Sequence, residues 1–437
     1  MNILLLGSGG REHAMAYKIV QSKRCNHLFI APGNAGTMKI GTNIALDINN
    51  FEEIKQCVLD KRIKMVVVGP EAPLVAGIVD YFAGDPQLNK VIIIGPSKEG
   101  ARLEGSKNHA KAFMASMGIP TARYATFGKG NIKRGEEFLN SLKAPYVLKA
   151  DGLAAGKGVI IAETLEEAKK TLHEMVEEHK FGDASDKVVI EEYLQGIELS
   201  VFVLTDGQHY KILPSAKDYK RIGDGDTGLN TGGMGSVSPV VFADKTFMKK
   251  VEDRIVIPTI KGLKKNKIGY KGFIFIGLMA VQNEDPAQGL DPYVIEYNVR
   301  MGDPETESVF PRIKSDVVEL FQHTFDMSLN KLDLEIDPRT AATVMMVAGG
   351  YPGSYEKGHI INGLDKAGDC LLFHAGTASV DGVAVTNGGR VLSVTALANS
   401  LPEALLTCYQ TADKIDWKGK QMRRDIGQDL LKWHMPQ

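Results

Sequence analysis

The chain has 437 residues, 43% of them hydrophobic and 24% charged, and its 52 basic and 53 acidic residues give a formal net charge of -1. This length suits two to four domains, and the balanced charge argues against nucleic acid or anionic lipid as a partner. No apolar run approaches the roughly 18 residues that cross a bilayer, and no basic region precedes the short apolar stretch at the N terminus, so we expect a cytoplasmic protein without a membrane partner.

The first hundred residues alternate buried-strand patterns with helical patterns. The strand runs are NILLLG, HLFIAPG, MVVVGP and VIIIGP, and helices are expected from about Arg11 and over NFEEIKQCVLDKR. This alternation is typical of a doubly wound parallel sheet. Each strand ends in a glycine or proline turn, and ligands of such sheets bind outside the carboxyl ends of the strands. We therefore expect these turns to share one crevice.

The turn Gly7-Ser8-Gly9-Gly10 follows the first strand and opens a helix. Its backbone N–H groups and the helix dipole predict an anion site, with a tight turn that binds nothing as the alternative. It is a poor dinucleotide fingerprint, because Glu12 replaces the third glycine and the second strand lacks the expected ribose-binding acid. A phosphate of another small ligand fits better, and an NAD-dependent oxidoreductase is disfavoured.

The pattern changes near Glu104, where LEGSKNHAKAFMASMG predicts one helix that ends before Ile119-Pro120. The segment PYVLKADGLAAGKGVIIAE then places a glycine loop between two strands. This loop is not a Walker A motif, because its glycines are one residue too close and Gly158 replaces Ser or Thr. We expect a hairpin tip whose N–H groups fold over phosphates, with Lys149 as a fixed positive charge; a plain turn is the alternative.

Residues from about 197 to 310 predict an antiparallel region. It contains the glycine-dense GDGDTGLNTGGMGS, a long helix around FMKKVEDRIVIPTIKGLKKN, and the strands GFIFIGLMAVQ and PYVIEYNVR, joined by a hairpin. The glycine-dense segment fails the EF-hand pattern and predicts a loop that wraps around a substrate, with a solvent loop as the alternative. From about Arg339 a smaller strand-rich unit is expected.

Polar and apolar residues alternate in the last strand of that region. The period of two puts Glu296, Asn298 and Arg300 on one face, while Ile295 and Tyr297 face the core. Carboxylate and amide oxygens suit Mg²⁺ bound to nucleotide phosphates, and a guanidinium suits a carboxylate or a phosphoryl group. An ordinary polar strand face is the alternative.

The cysteines and histidines predict no metal site. Cys25, Cys57, Cys370 and Cys408 lie far apart without a C-x-x-C pair, so neither a zinc site nor a disulfide framework is expected. The ten histidines are scattered, and His13 and His109 are expected to be helix-packing or surface residues and not ligands.

In this order the motifs resemble the phosphoribosylamine–glycine ligase family of the ATP-grasp superfamily along nearly the whole chain. They are GSGGREHA, APGNAG, VGPEAPL, LEGSK, LKADGLAAGKGV, DYKR with GDGD and NTGGMG, VIEYNVRMGDPET, GGYPGSYEKG, TNGGRVL and RRDIG. The resemblance implies a multidomain α/β and α+β fold. Its parts are a Rossmann-like substrate domain at 1–104, an ATP-grasp domain at 105–330 with a lid at about 121–192, and a C-terminal domain at 331–437.

The resemblance also implies an activity in purine biosynthesis. ATP, glycine and 5-phosphoribosylamine give glycinamide ribonucleotide, ADP and phosphate through a glycyl phosphate, with ATP and Mg²⁺ or Mn²⁺ as cofactors and a monomer as the expected state. Another ATP-grasp carboxylate–amine ligase is the alternative. A catalytically inactive nucleotide-binding regulator is disfavoured. Such a protein would be expected to have lost some phosphate or metal residues, whereas Lys107, Lys149, Glu296, Asn298 and Arg300 are all present.

The family motifs assign roles to residues of this chain. For ATP they imply Lys107 and Lys149 on the phosphates, Gly152, Gly156, Lys157 and Gly158 in the covering loop, Glu191, Glu192, Tyr193 and Leu194 at the adenine hinge, and Glu198 on the ribose. For glycine and phosphoryl transfer they imply Asp218, Lys220, Arg221, Gly232, Gly233 and Arg300, with Arg300, Lys149 and Asp218 as the catalytic groups. For phosphoribosylamine they imply Gly9, Gly10, Glu12, Gly36 and Glu71, and for the metal Glu296 and Asn298.

The chain departs from the family pattern at a few positions. Lys217 stands where Gln is usual, Leu229 where Pro is usual and Met301 where Phe is usual. These changes affect local packing and remove no charged partner from the expected site. The strand before Glu296 offers no carboxylate at its MAVQ end, so the resemblance does not fix the number of metal ions.

Overall fold

A computed structural model describes residues 1–152, 158–177 and 186–433 of the chain. Within these ranges the strands form sheets of nine, five and four strands and two short two-stranded hairpins. Over the same ranges, no helix combines the length and the apolar character needed to cross a membrane.

The first hundred residues form the predicted parallel sheet. Neighbouring strands are parallel, and the first strand lies between the second and the fourth. The crevice outside the carboxyl ends of the first and fourth strands is therefore the point at which the strand order reverses, where ligands of such sheets bind. The elements are β1 (Asn2–Gly7), α1 (Gly10–Ile19), β2 (His27–Pro32), β3 (Thr42–Asn43), α2 (Phe51–Asp60), β4 (Ile63–Val68), α3 (Glu71–Ala76), α4 (Ile78–Gly84) and β5 (Ile92–Pro96).

The single helix expected after Glu104 is wrong, because the chain forms two helices, α5 (Lys98–Gly105) and α6 (Lys107–Ser116). Ser106 between them is extended, with φ of -142°, and its hydroxyl accepts a hydrogen bond from the N–H of His109 at 3.1 Å. Ser106 is therefore the N-cap of α6. This break puts Lys107 at the first position of α6.

A separate four-stranded antiparallel sheet follows, and two helices cover it. Its strand order is β6, β9, β7, β8, and Phe127, Leu148 and Leu172 belong to its own core. The expected hairpin around the glycine loop is confirmed for its flanking strands, and residues 153–157 lie outside the described ranges. The elements are β6 (Tyr124–Gly128), α7 (Ile132–Asn140), β7 (Tyr146–Ala150), β8 (Val159–Ala162), α8 (Leu165–Val176) and β9 (Lys187–Glu192).

The next region adds antiparallel strands to the first sheet. Tyr270 and Lys271 pair with Pro96 and Gly95 of β5, so the parallel and antiparallel strands form one nine-stranded sheet. The expected hairpin of the last two strands is confirmed. The strands are β10 (Ile197–Thr205), β11 (Tyr210–Ile212), β12 (Lys217–Asp218), β13 (Arg221–Gly223), β14 (Thr227–Asn230), β15 (Gly235–Ser238), β16 (Tyr270–Gln282) and β17 (Leu290–Asn298).

The long helix expected in this region is interrupted by a π-helical turn. Its parts are α9 (Lys245–Val251), the π turn Glu252–Val256 and α10 (Ile257–Lys265). Pro258 follows the π turn and has no N–H to donate along the helix, and a local change of hydrogen-bond pattern of this kind accommodates a proline.

A β-bulge changes the expected faces of β17. Gly277 of β16 pairs with Glu296, but its neighbour Leu278 pairs with Val294, so Ile295 is the extra residue. Tyr297 is buried as predicted. The expected core position of Ile295 is wrong, because the inserted residue shifts the alternation and Val294 is buried in its place.

Three strands from the C-terminal residues, β18, β22 and β19, join β12 and β15 in a five-stranded antiparallel sheet of order β12, β15, β18, β22, β19, called here the C-terminal sheet. The last two residues of the glycine-dense segment, Gly235 and Ser236, belong to β15 and pair with β18, so this segment enters the sheet directly. The expected domain boundary at 330 stays a prediction. The elements are α11 (Glu305–Val309), α12 (Val317–Phe325), β18 (Thr340–Val347), β19 (Leu371–His374), β20 (Thr377–Val380), β21 (Val383–Thr386), β22 (Arg390–Ala398), α13 (Leu401–Ala412) and α14 (Gln428–Leu431).

Candidate active site

Glu296, near the end of β17, is the carboxylate around which positive charges gather. Burial alone would raise its pKa, but the ammonium groups of Lys220, Lys149 and Lys107 bring the pKa below its ordinary value. These lysines come from three different elements or loops: Lys107 begins α6, Lys149 lies in β7 and Lys220 follows β12. The fold therefore keeps an ionised carboxylate among cations: the ammonium groups would stabilise polyanionic phosphates, and the carboxylate would stabilise a metal ion.

Lys107 and Lys149 reach the glycine loop and the bulge of β17. Lys107 Nζ donates to the Gly152 carbonyl at 2.9 Å, and burial lowers the pKa of this lysine. Lys149 Nζ donates to the carbonyl of the bulged residue Ile295 at 3.4 Å. Gly158 returns to the sheet by accepting a hydrogen bond from Ala150 N–H at 2.8 Å. The two remaining loop residues of the prediction, Gly156 and Lys157, lie outside the described residues.

Glu191 forms a buried ion-pair cluster that the sequence analysis did not predict. Its carboxylate lies 2.8 Å from Lys111 Nζ and 3.0 Å from Lys149 Nζ, and all three side chains are less than a tenth exposed. Its carboxylate is therefore engaged with lysines, and any contact with adenine would have to come from the backbone or from neighbouring residues. One sequence signal could have identified Lys111 as a site residue. It follows Lys107 by four residues and therefore lies on the same face of the helix.

The other residues of the expected hinge join the two sheets. Glu192 is the last residue of β9, and its carboxylate accepts a hydrogen bond from Arg123 N–H at 2.7 Å. Tyr193 and Leu194 lie in the connection from β9 to β10, and Tyr193 is exposed. The chain therefore passes from the four-stranded to the nine-stranded sheet at the positions expected for the adenine hinge.

Arg300 is held between two carboxylates. Its Nε lies 3.3 Å from Glu71 Oε2 and its Nη2 lies 2.9 Å from Glu104 Oε1. Nη2 also donates to Asn298 Oδ1 at 3.3 Å. The sequence analysis did not predict Glu104, although this residue belongs to the LEGSK motif that supplied Lys107.

Asp218, Lys220 and Glu198 form a second charged group beside Glu296. Lys220 Nζ lies 2.7 Å from Glu198 Oε2, and the negative charge of Glu198 is the main reason that the pKa of Lys220 is raised. Burial raises the pKa of Asp218. Arg221 does not join them, because its side chain is exposed and donates to the Gly228 carbonyl at 2.8 Å.

The expected anion site at the start of α1 is already partly filled by the protein. The N–H of Gly9 donates to Glu12 Oε2 at 2.7 Å, and the N–H of Arg11 donates to Asp303 Oδ2 at 3.3 Å. Two of the amides that were expected to hold a phosphate therefore bind carboxylates. The capping-box position of Glu12, three residues after Gly9, was a sequence signal for the first of these contacts.

The remaining crevice residues, Glu71 and Gly36, contact different partners. Glu71 begins α3 and reaches Arg300. Gly36 packs against His13 and His374, so that a Cβ at this glycine would lie 2.3 Å from His13 Cε1. His13 is buried, and its ring contacts those of Phe373 and His374.

Glu296 and Asn298 offer oxygen ligands of the kind that Mg²⁺ prefers. Asn298 Nδ2 lies 3.5 Å from Glu296 Oε1, so the two side chains are adjacent. Opposite Glu296 on β16 stands Gly277, which supplies no second carboxylate. The described residues contain no cluster of three His, Cys, Asp or Glu side chains placed to hold a metal. Glu296 and Asn298 would therefore hold a metal only together with oxygen ligands that these side chains do not supply.

A four-stranded sheet and a nine-stranded sheet that bring lysines around one carboxylate are the arrangement of an ATP-grasp ligase. Family models of phosphoribosylglycinamide synthetase match the chain as its N domain at residues 1–104, its ATP-grasp (A) domain at 105–306 and its C domain at 341–429. The chain belongs to the phosphoribosylglycinamide synthetase family. It is an ATP-dependent ligase of purine biosynthesis with phosphoribosylamine–glycine ligase activity.

Individual relatives agree with the family models. The chain is 44% identical over 431 residues to the phosphoribosylamine–glycine ligase of Pseudomonas aeruginosa, covering 98% of this chain and 97% of that one. It is also 44% identical over 435 residues to the enzyme of the same name from Vibrio cholerae, covering 98% of both. The crystal structure of the Thermotoga maritima phosphoribosylamine–glycine ligase superposes with a TM-score of 0.83 at 36% identity, covering 97% of this chain and 100% of that one.

Proposed function

We propose that the cluster around Glu296 is the site at which ATP phosphorylates the glycine carboxylate to a glycyl phosphate, which phosphoribosylamine then attacks to form glycinamide ribonucleotide. A free carboxylate is a poor electrophile, and loss of phosphate from the mixed anhydride makes amide formation favourable. The observation that carries the proposal is the ionised Glu296 among Lys107, Lys149 and Lys220. Catalysis at such a site consists mainly of positioning and charge neutralisation.

The nucleotide is proposed to lie between the four-stranded sheet, which would act as a lid, and the nine-stranded sheet. Lys107 and Lys149 would contact its phosphates. In the structure Lys107 donates to the Gly152 carbonyl, and Lys149 contacts the Ile295 carbonyl and the Glu191 carboxylate. Phosphate oxygens would replace these acceptors. Glu296 and Asn298 would hold Mg²⁺ or Mn²⁺, and the bound ion supplies neutralisation of phosphate charge. The loop from Gly152 to Gly158 would cover the phosphates, with the adenine at Glu191, Glu192, Tyr193 and Leu194 and the ribose at Glu198.

Arg300 is proposed to face the transferring phosphoryl group and the glycine carboxylate. A guanidinium presents several N–H donors in a fixed plane and suits both anions. Asp218 and Lys220, with Gly232 and Gly233, would form the glycine pocket beside it. Arg221 is exposed and directed to Gly228, which supports a role in shaping the loop more than direct contact with glycine.

Phosphoribosylamine is proposed to bind in the crevice at the carboxyl ends of β1 and β4. Gly9, Gly10, Glu12, Gly36 and Glu71 belong to this crevice or its walls. Glu12 and Asp303 already occupy two backbone amides there. The crevice is therefore better suited to the hydroxyl and amino groups of this substrate than to a phosphate bound only by the turn.

An ADP-release assay with MgATP tests the substrate assignment. Glycine is supplied with and without freshly generated phosphoribosylamine, and alanine and other small acids replace glycine in parallel reactions. ADP release that needs both glycine and the ribosylamine is the expected result. Release with another acid in place of glycine would favour a different ATP-grasp carboxylate–amine ligase.

The cellular location and the oligomeric state stay predictions. The place of the reaction in purine biosynthesis supports a cytoplasmic enzyme. Light scattering of the purified chain, with a monomer as the expected mass of about 47.6 kDa, tests the second prediction.

A further inference from the structure

Two side chains of the C-terminal sheet and its loops hold Gly232 of the NTGGMG loop. The N–H of Gly232 donates to the Tyr351 hydroxyl at 3.0 Å, and Arg390 Nη1 donates to the Gly232 carbonyl at 2.8 Å. Tyr351 belongs to the GGYPGSYEKG motif and Arg390 to the TNGGRVL motif. Both motifs belong to the family resemblance, which implies no role in the reaction for either of them.

The loop has little freedom to adopt another conformation between these contacts. A Cβ at Gly232 would lie 2.9 Å from Arg390 Cζ, and a Cβ at Gly233 would lie 2.4 Å from Pro304 Cδ. Gly233 also has a φ of +123°, which side chains rarely allow. The ring of Tyr351 packs against Gly389: a Cβ at this glycine would lie 2.2 Å from Cδ2 of the ring.

Arg390 also connects this loop to the turn at the start of α1. Nη1 donates to the Asp303 carbonyl at 2.7 Å, and Nη2 lies 3.0 Å from Asp303 Oδ1. The other carboxylate oxygen of Asp303 accepts the N–H of Arg11 at 3.3 Å. One guanidinium therefore contacts the proposed glycine loop and, through Asp303, the proposed phosphoribosylamine crevice.

We propose that Tyr351 and Arg390 are positioning residues for the two substrates. Tyr351 fixes the glycine loop alone, whereas Arg390 fixes the glycine loop and the crevice together. Neither side chain needs to touch a reacting atom, because each acts through Gly232 or Asp303. The inference rests on the proposed function, since it takes residues 231–234 as the wall of the glycine pocket and α1 as the wall of the phosphoribosylamine pocket.

Tyr351→Phe is the sharper test, because it removes one hydroxyl and keeps the ring over Gly389. The KM for glycine is expected to rise about three- to tenfold, as for the loss of one hydrogen bond. The KM for phosphoribosylamine, the KM for ATP and the Tm are expected to stay close to those of the wild type. Tyr355→Phe is the matched control, because its ring lies 6.4 Å from that of Tyr351 and no hydrogen bond of its hydroxyl occurs among the described residues.

Arg390→Lys and Arg390→Met test the double connection. A lysine keeps the charge, but its single ammonium group lacks the planar set of donors with which the guanidinium contacts Gly232 and Asp303 together. Both variants are expected to raise the KM for glycine and for phosphoribosylamine, with a smaller effect for lysine, while the KM for ATP reports that the nucleotide site is intact. If Arg390→Met does not fold, Tyr351→Phe and Arg390→Lys decide the question.

The outcomes separate this inference from the function on which it rests. Wild-type ADP release that does not require glycine would overturn the proposed function. If the wild type requires both substrates but Tyr351→Phe changes the KM for glycine no more than Tyr355→Phe does, the positioning role of Tyr351 is wrong. Arg390 variants that change the KM for glycine only would overturn the connection through Asp303.

Discussion

Arg300 and Glu104 form an ion pair with 2.9 Å between Nη2 and Oε1, although Glu104 is the last residue of the N-domain match and Arg300 lies near the end of the ATP-grasp match. The other oxygen of Glu104 accepts the N–H of Val299 at 2.8 Å. One buried carboxylate therefore fixes both the guanidinium and the backbone that carries it. Such contacts hold a charged side chain in one orientation before substrate binds.

We expect Glu104→Gln to lower kcat about tenfold with little change in the KM for ATP. The amide keeps the size of the side chain but loses the charge that orients Arg300. Steady-state kinetics at saturating glycine measure the effect. Glu99→Gln is the control, because Glu99 lies on the same helix and pairs at the surface with Arg102. Equal kcat values in the two variants would show that Glu104 does not position Arg300.

Local pattern and motif order predicted much of the fold and the charged cluster. The apolar strand runs and the turns after them predicted the parallel sheet, and the motifs brought Lys107, Lys149, Glu296 and Arg300 to one site. Contacts between distant segments were not predictable in this way. Asp303 reaches the amide of Arg11 across 292 positions, and no periodicity within either segment carries that information.

The bulge in β17 shows a second limit of pattern reading. The prediction of strand faces from alternation assumes that each residue of one strand pairs with one residue of the next. The extra residue Ile295 breaks this pairing, and its polarity alone does not reveal the bulge. The break between α5 and α6, in contrast, could have been predicted from the sequence. Ser106 is a favoured N-cap residue and marks the start of α6.

Removal of the proposed metal ligand should affect both activity and metal dependence. We expect Glu296→Gln to lower kcat/KM at least about a hundredfold and to raise the Mg²⁺ concentration for half-maximal rate, because the ion loses its charged ligand. Mn²⁺ binding in the presence of ATP, followed by electron paramagnetic resonance, gives a readout independent of turnover. Glu284→Gln, in the exposed hairpin turn, should behave as wild type. An unchanged metal dependence in Glu296→Gln would refute the assignment.

The buried cluster of Lys111, Glu191 and Lys149 should contribute to stability as well as to the site. Lys111→Met removes one of the two cations from a buried carboxylate, and we expect the free energy of unfolding to fall by about 1–3 kcal/mol. Urea denaturation measures this change. Lys170→Met is the control, because Lys170 is exposed and pairs on its helix surface with Glu174 at 3.7 Å. The prediction fails if both variants unfold at the same urea concentration.

Glu307 is fully buried, and neither of its carboxylate oxygens has a hydrogen-bond partner among the described residues. Burial and the nearby carboxylates of Asp303 and Glu305 raise its pKa well above the ordinary value, against the opposing charge of Arg390. A raised pKa in the folded state means that stability is full below the unfolded pKa and is lost as pH rises toward the folded value. Glu307→Gln should remove this loss.

We therefore expect the Tm of Glu307→Gln to exceed that of the wild type by an amount that grows between pH 5 and pH 8. Differential scanning calorimetry at several pH values within this range measures the difference. Glu284→Gln serves as the exposed control and should show no growing difference. A wild-type Tm that keeps a constant offset from Glu307→Gln over the range would mean that the fold does not raise the pKa of Glu307.

His13 of α1 and His374 of β19 form a buried pair between the first sheet and the C-terminal sheet. His13 Nδ1 accepts the N–H of His374 at 2.8 Å, and the His374 carbonyl accepts a hydrogen bond from Asn34. Burial lowers the pKa of His13 to about 3 and that of His374 to about 4, with the positive charge of Lys39 adding to both shifts. Both rings are therefore neutral in the folded protein at neutral pH.

Acidification should destabilise the protein through these rings. Their pKa values lie below that of an unfolded histidine, so the stability they contribute is complete above about pH 6.5 and is lost as pH falls toward the folded values. Between pH 7.5 and pH 5.5, His13→Gln should lose about 1.4 kcal/mol less than the wild type, because one titrating ring is gone. Urea denaturation at the two pH values measures both losses. The exposed His27 provides the control as His27→Gln, and an equal loss in His13→Gln and the wild type would show that His13 is not kept neutral by the fold.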